Sequence, residues 1–158
     1  ADQASRGWFP VIDNVSCLAR YSNEVQGQLW FSKCALGHRN GLRLRIYGSK
    51  ASAEWYQHNP EEVFVSFADG RRQIVDRASN AKVASLRRYN RFKAGHPAGF
   101  NEALANLYVD IHAALTGYKT NGRQESEEVF GGDLAVEGLQ FLEAMVRSCA
   151  SRKWEKVG

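Results

Sequence analysis

The spacing of hydrophobic positions changes partway along the chain. In residues 13–22 (DNVSCLARYS), Val15, Cys17, Ala19 and Tyr21 alternate with Ser16, Leu18 and Arg20, the two-residue period of a β-strand. Ser22-Asn23-Glu24 is a turn signal, and residues 26–35 (QGQLWFSKCA) read as a second strand, the hairpin partner of the first. After the glycine-bracketed loop Gly37-His38-Arg39-Asn40-Gly41, Leu42, Leu44 and Ile46 alternate with Arg43, Arg45 and Tyr47, the cleanest period-two run in the chain. Gly48-Ser49-Lys50 then turns the chain into residues 51–57. Asn59-Pro60 breaks that run, and Val63, Val65 and Phe67 alternate with Phe64 and Ser66 up to Asp69-Gly70. Asp-Gly between alternating runs marks a hairpin, so residues 72–76 are expected to pair back. Such short connections make the strands antiparallel, because a parallel pair needs a crossover of a dozen or more residues.

The second half has a helical period. Phe100, Ala103, Leu104, Leu107, Tyr108, Ile111 and Leu115 form one stripe, with Gly117 placed to end the helix. A second helix is predicted from about Asp133, as N-cap, to Cys149, and residues 154–157 could return as a short strand. Between sheet and helices, residues 78–95 are basic, polar and weakly periodic, which suits a functional loop or an excursion toward a partner. Strands first and helices afterwards imply one α+β domain over residues 1–158: an open, mainly antiparallel sheet with helices packed on one face. Trp30, Tyr47, Trp55 and Phe64 are candidates for the other face, and an apolar open face usually means an interface.

Composition narrows the class. At 158 residues, 44% hydrophobic and 24% charged, the chain is an ordinary globular one. No apolar run approaches the ~18 residues of a membrane span, and the start lacks the basic and apolar regions of a signal peptide, so no membrane partner is expected. Twenty-one basic residues against 17 acidic give a net charge of +4. The basic residues cluster at 39–50, at 82–93 and at Arg152 and Lys153, with acidic residues between them at Glu61, Glu62, Asp69 and 125–128. Scattered in this way they read as solvated faces, with no nucleic-acid partner. Cys17, Cys34 and Cys149 form no C-x-x-C arrangement. They are expected to be buried, structural and free, as in a reducing, cytoplasmic compartment.

Candidate chemistry is sparse. Neither a G-x-G-x-x-G turn nor a P-loop is present, and Gly131-Gly132 reads as a flexible helix start. His38, His58, His96 and His112 have no metal-ligand spacing; His112 is expected to be packed and His58 exposed. His38, Arg39 and Asn40 put three polar groups where the chain can turn sharply, and such a loop can clamp a ligand. His96 stands between Gly95 and Pro97 just before a helix, where the dipole favours the neutral imidazole. It could hydrogen-bond a sugar hydroxyl or relay a proton, or simply bond its own loop. Glu61-Glu62 and Glu127-Glu128 read as solvent-facing. No nucleophile–base pair can be argued from spacing, so the chain reads as part of a site, without a catalytic group of its own.

Several segments together resemble the C-terminal domain of the glucose–fructose oxidoreductase, inositol dehydrogenase and rhizopine-catabolism (Gfo/Idh/MocA) family. They are residues 36–43 (LGHRNGLR) leading into Ile46-Tyr47-Gly48-Ser49-Lys50, then Ala53-Glu54-Trp55 and Asn59-Pro60-Glu61-Glu62. Residues 95–100 (GHPAGF), Ala105-Asn106-Leu107-Tyr108 and the helix from Glu137-Gly138-Leu139 to Ser148 complete the set, in family order from about Asp13 onward. The resemblance implies an NAD(P)-dependent oxidoreductase of sugars, polyols or inositols. Its dinucleotide, NAD or NADP, would be held by an N-terminal Rossmann domain absent from this chain and not by this chain itself. That domain would also carry the family's Glu-Lys-Pro lysine, and this sequence has neither Glu-Lys-Pro nor an Asp-x-x-x-His near its start, so no catalytic residue is carried over. Ala51, where a glycine commonly follows Gly-Ser-Lys, and Ala98, where the family often has an acidic residue, depart from the pattern. The expected substrate-binding residues are His96, then Arg39, Asn40 and Arg91. The expected partners are the sugar, polyol or inositol, the Rossmann domain of the same protein, and further copies meeting through the open sheet face. The alternative is a free-standing interaction module that dimerises through that face.

Overall fold

The computed structural model describes residues 12–123 and 128–158. In chain order it contains β1 (Asn14–Arg20), β2 (Gln26–Ser32), β3 (Arg43–Tyr47), β4 (Ala51–Tyr56), β5 (Asn59–Phe67), β6 (Arg72–Val75), α1 (Phe100–Asn121) and α2 (Gly132–Ser151). A 3-10 turn lies at Val83–Ser85. Every strand pair is antiparallel, and the architecture is α+β, as the pattern predicts. The strands are divided between a two-stranded sheet, β1-β2, and a four-stranded meander, β3-β4-β5-β6. The described residues fall into two compact units, divided between Arg39 and Asn40 and again between Ala135 and Val136.

In the first unit β1 and β2 pair from Asn14↔Ser32 to Arg20↔Gln26. Val15, Cys17 and Ala19 take the half-buried face and Leu18 the exposed one. The C-terminal tail does not form the strand expected at 154–157. Its carbonyls are taken by α2 side chains instead: Ser148 Oγ donates to Lys153 O at 2.6 Å and Arg147 NH2 to Lys156 O at 3.0 Å. The Arg20 guanidinium lies 4.7 Å from the Trp154 ring centroid, a cation–π distance.

In the second unit the register sets two unlike faces. Leu44, Trp55, Val63 and Val75 lie side by side on one. Arg45, Glu54, Phe64 and Ile74 lie side by side on the other. Of the four aromatic residues expected on a common open face, Tyr47 and Phe64 share this second face and are exposed. Trp55 lies on the first face and Trp30 in the other sheet, because pairing sets strand parity and strand order alone does not. All of β3 is exposed despite its clean alternation, since it is an edge strand.

The β4–β5 pairing contains one large irregularity. Trp55 pairs with Val63 but Tyr56 with Asn59, so Pro60, Glu61 and Glu62 stand as an insertion. Proline has no N–H for the ladder, and a bulge is where a sheet tolerates it. Asn59 Nδ2 donates to Glu62 Oε2 at 2.8 Å and Trp55 Nε1 to Pro60 O at 3.1 Å, fixing the bulge. The Asn59-Pro60 break expected from sequence is thus the start of β5.

Helix α1 runs past Gly117 to Asn121, and Gly122, at φ 67°, is the left-handed cap whose N–H reaches Tyr118 O at 2.8 Å. One glycine inside a helix costs only about 1 kcal/mol, so Gly117 does not end it. Asp133 lies in the first turn of α2, which begins at Gly132. Among the described residues only Ala114, Ala144 and Asn106 are buried. Cys34 and Cys149 are exposed and Cys17 is only half-buried, so none of the three thiols is buried as expected; all three are free. His112, expected to be packed, is exposed. Among the described residues no helix is long and apolar enough to cross a membrane.

Candidate functional site

The bulge places Glu61 at the centre of a network. Arg77, just beyond β6, donates from Nε to Glu61 Oε2 at 2.5 Å, from NH1 to Phe92 O at 2.9 Å and from NH2 to His96 O at 2.5 Å. Glu61 Oε1 accepts the Ala98 N–H at 3.1 Å. The Arg77 side chain is 12% exposed and that of Glu61 28%, so Glu61 is not the solvent-facing residue expected. The signal for this was Pro60, which marks a bulge within an otherwise alternating strand.

The same segment continues into α1. Gly99 N–H donates to Glu102 Oε2 at 2.8 Å, a carboxylate closing the first turn. That hydrogen bond is the main reason the Glu102 carboxyl sits below its ordinary range. The N–H of His96 reaches Lys93 O at 3.1 Å. The His96 imidazole is exposed and has no hydrogen-bond partner among the described residues.

Arg91 donates from NH2 to Asn106 Oδ1 at 2.7 Å, and Asn106 Nδ2 donates to Arg88 O at 3.3 Å. Arg88 forms a two-pronged pair with Asp110, at 3.0 and 2.6 Å, which holds its guanidinium pKa above the ordinary arginine value. The basic stretch at 82–93 is therefore not wholly a solvated face. Two of its arginines tie the long loop to α1, and Arg91 reaches any ligand only through its remaining N–H groups.

Asn40 lies in the same unit, at the other side of the β4–β5 hairpin. Its carbonyl accepts from His58 Nε2 at 2.7 Å, and His58 Nδ1 meets Tyr56 OH at 3.1 Å. Leu42 N–H bonds Gln57 Oε1 at 2.9 Å. One hairpin thus holds both candidate loops: His58 holds the Asn40 carbonyl, and Glu61 holds the amide two residues after His96. Arg39 belongs to the first unit and is exposed. His38 beside it stands edge-on to Trp30 at 6.3 Å.

The start of α1 does not suit a dinucleotide. Its leading amides, Ala98 and Gly99, already meet the carboxylates of Glu61 and Glu102, which would repel a pyrophosphate. Among the described residues no group of three His, Cys, Asp or Glu could hold a metal ion. The His96 imidazole, exposed on a braced loop, can donate or accept a hydrogen bond.

A model of the oxidoreductase family C-terminal alpha/beta domain (Gfo/Idh/MocA) matches residues 1–157. The uncharacterized oxidoreductase YfiI of Bacillus subtilis is 31% identical over 145 residues, which cover 88% of this chain and 36% of that protein. A crystal structure of an oxidoreductase from Pseudomonas syringae superposes with a TM-score of 0.80 at 29% identity, over 94% of this chain and 41% of that one. An inositol dehydrogenase homolog from Azotobacter vinelandii, crystallised with NADH and myo-inositol, superposes with a TM-score of 0.77 at 27% identity, over 90% of this chain and 38% of that one. The chain thus spans well under half the length of these relatives. The family match covers nearly the whole chain, and the chain belongs to the Gfo/Idh/MocA oxidoreductase family as its C-terminal alpha/beta domain.

Proposed function

We propose that this chain is the substrate-side domain of an NAD(P)-dependent dehydrogenase that oxidises a CH–OH carbon of a sugar, polyol or inositol. The observation that carries this reading is the likeness to the inositol dehydrogenase homolog over 90% of the chain. The 158 residues act as one functional domain, inactive alone, and a Rossmann domain of the same protein holds the nicotinamide that takes the hydride. His96 orients the substrate by hydrogen-bonding a hydroxyl, with Arg91 and Asn40 as lesser contacts. Copies meet through the second face of the four-stranded sheet, a role supported by its exposed Tyr47, Phe64 and Ile74. Free thiols and a nicotinamide cofactor suit the cytoplasm.

The test is nicotinamide reduction by the full-length protein, with NAD+ or NADP+ and a panel of polyols that includes myo-inositol. Turnover with at least one polyol is expected, and His96→Ala should lower kcat/KM by about tenfold, the worth of one good hydrogen bond. Absence of reduction with every polyol and both dinucleotides would overturn the reading.

A further inference from the structure

We propose that the Glu61–Arg77 pair is a positioning device for His96, holding the backbone that carries its imidazole before a substrate arrives. The inference rests on the role given to His96 above and adds two residues to that site.

The bonds bracket the histidine. Arg77 holds the carbonyl of Phe92 and that of His96 itself, and Glu61 holds the amide of Ala98. Gly95, at φ 94°, lies within the bracket, and a glycine there leaves the segment free to take other conformations when nothing restrains it. The restraint comes from a guanidinium whose planar fork directs three N–H groups at three acceptors, which a lysine ammonium cannot reproduce. Both partners stand next to the sheet, Glu61 in the bulge of β5 and Arg77 two residues beyond the last paired residue of β6, Val75. The backbone of the loop is therefore held while its imidazole stays open. A preorganised contact of this kind avoids the ordering cost of binding, and a misplacement of about 1 Å can cost on the order of a hundredfold in rate.

The experiment uses the full-length protein with Arg77→Lys, Glu61→Gln and His96→Ala, alone and combined. Arg77→Lys keeps the charge but loses the fork, and Glu61→Gln keeps an acceptor for Ala98. Amide exchange across residues 92–98 should quicken by about tenfold in each, the loss of roughly one hydrogen bond. The value of kcat should fall, by no more than the about tenfold loss expected for His96→Ala, with KM changed less. In the His96→Ala background, Arg77→Lys should quicken exchange but lower kcat/KM no further. Unchanged exchange in both single variants would overturn the clamp. Penalties on kcat/KM that add to that of His96→Ala would show the pair acting elsewhere, overturning its role through His96. If His96→Ala leaves turnover intact, the binding role of His96 fails, and with it the pair's role in turnover. The exchange measurement still decides separately whether the pair braces the loop.

Discussion

The imidazole of His58 bonds the carbonyl of Asn40 at 2.7 Å, and the missing side chain of Gly41 makes that approach possible. A carbonyl only accepts, so Nε2 carries a proton, and in the neutral ring Nδ1 accepts from Tyr56 OH. A Cβ added to Gly41 would stand 2.6 Å from Nε2, closer than contacts allow. Gly41→Ala should therefore displace the ring and cost about 1 kcal/mol for the lost hydrogen bond. In a His58→Ala background the same change should be nearly neutral. Denaturant unfolding of the four variants measures this, and an equal penalty in both backgrounds would refute the contact.

The Arg88–Asp110 pair is more shielded, with side chains 28% and 13% exposed. Arg88 Nε already lacks a partner among the described residues. Asp110→Ala would leave the Arg88 guanidinium without its hydrogen-bonded counter-ion, with only the Tyr89 ring at 5.1 Å and the charge of Glu128 to offset it, and should destabilise by about 1–2 kcal/mol. The lower unfolding midpoint should come with faster amide exchange in the 3-10 turn and the residues around Arg88.

Glu102 gives a pH dependence with a definite sign. Its carboxyl lies below the ordinary range in the folded state because it accepts the Gly99 N–H, so folding favours the ionised form. The resulting stability is complete above the unfolded value, about 4.3, and is lost as pH falls from there through the lowered folded value. Glu102→Gln keeps an acceptor for Gly99 but cannot ionise. The gap in melting temperature between the two proteins should be greatest near neutral pH and shrink below about pH 4. A gap that widens in acid would contradict the assignment.

The strands and helices were legible in sequence wherever one face is polar and the other apolar. The alternation of Val15, Cys17 and Ala19, the Asp69-Gly70 turn and the stripe from Phe100 to Leu115 all lie where the pattern puts them. Sheet membership was not legible, because period two says which residues share a face and not which strands share a ladder. Trp30 shows this, lying in the two-stranded sheet while Tyr47 and Phe64 lie in the four-stranded one. His96 stood out through its neighbours Gly95 and Pro97. Arg77 and Glu61 did not, since their partners are main-chain groups 15 to 37 residues away along the chain. Such partners leave no pattern in the letters of the sequence. Cys34 and Cys149 misled for a related reason: apolar neighbours in sequence do not become neighbours in space when the element faces outward.

The bracket around residues 92–98 recognises carbonyl and amide groups that any amino acid, except a proline at position 98, would supply. Substitutions at positions 93, 94 and 96 would leave those three anchors untouched. Within a family of varied substrates, such a loop can change its chemistry by point mutation while its path stays the same. The specificity of the site and the stability of its scaffold are in this way free to evolve apart.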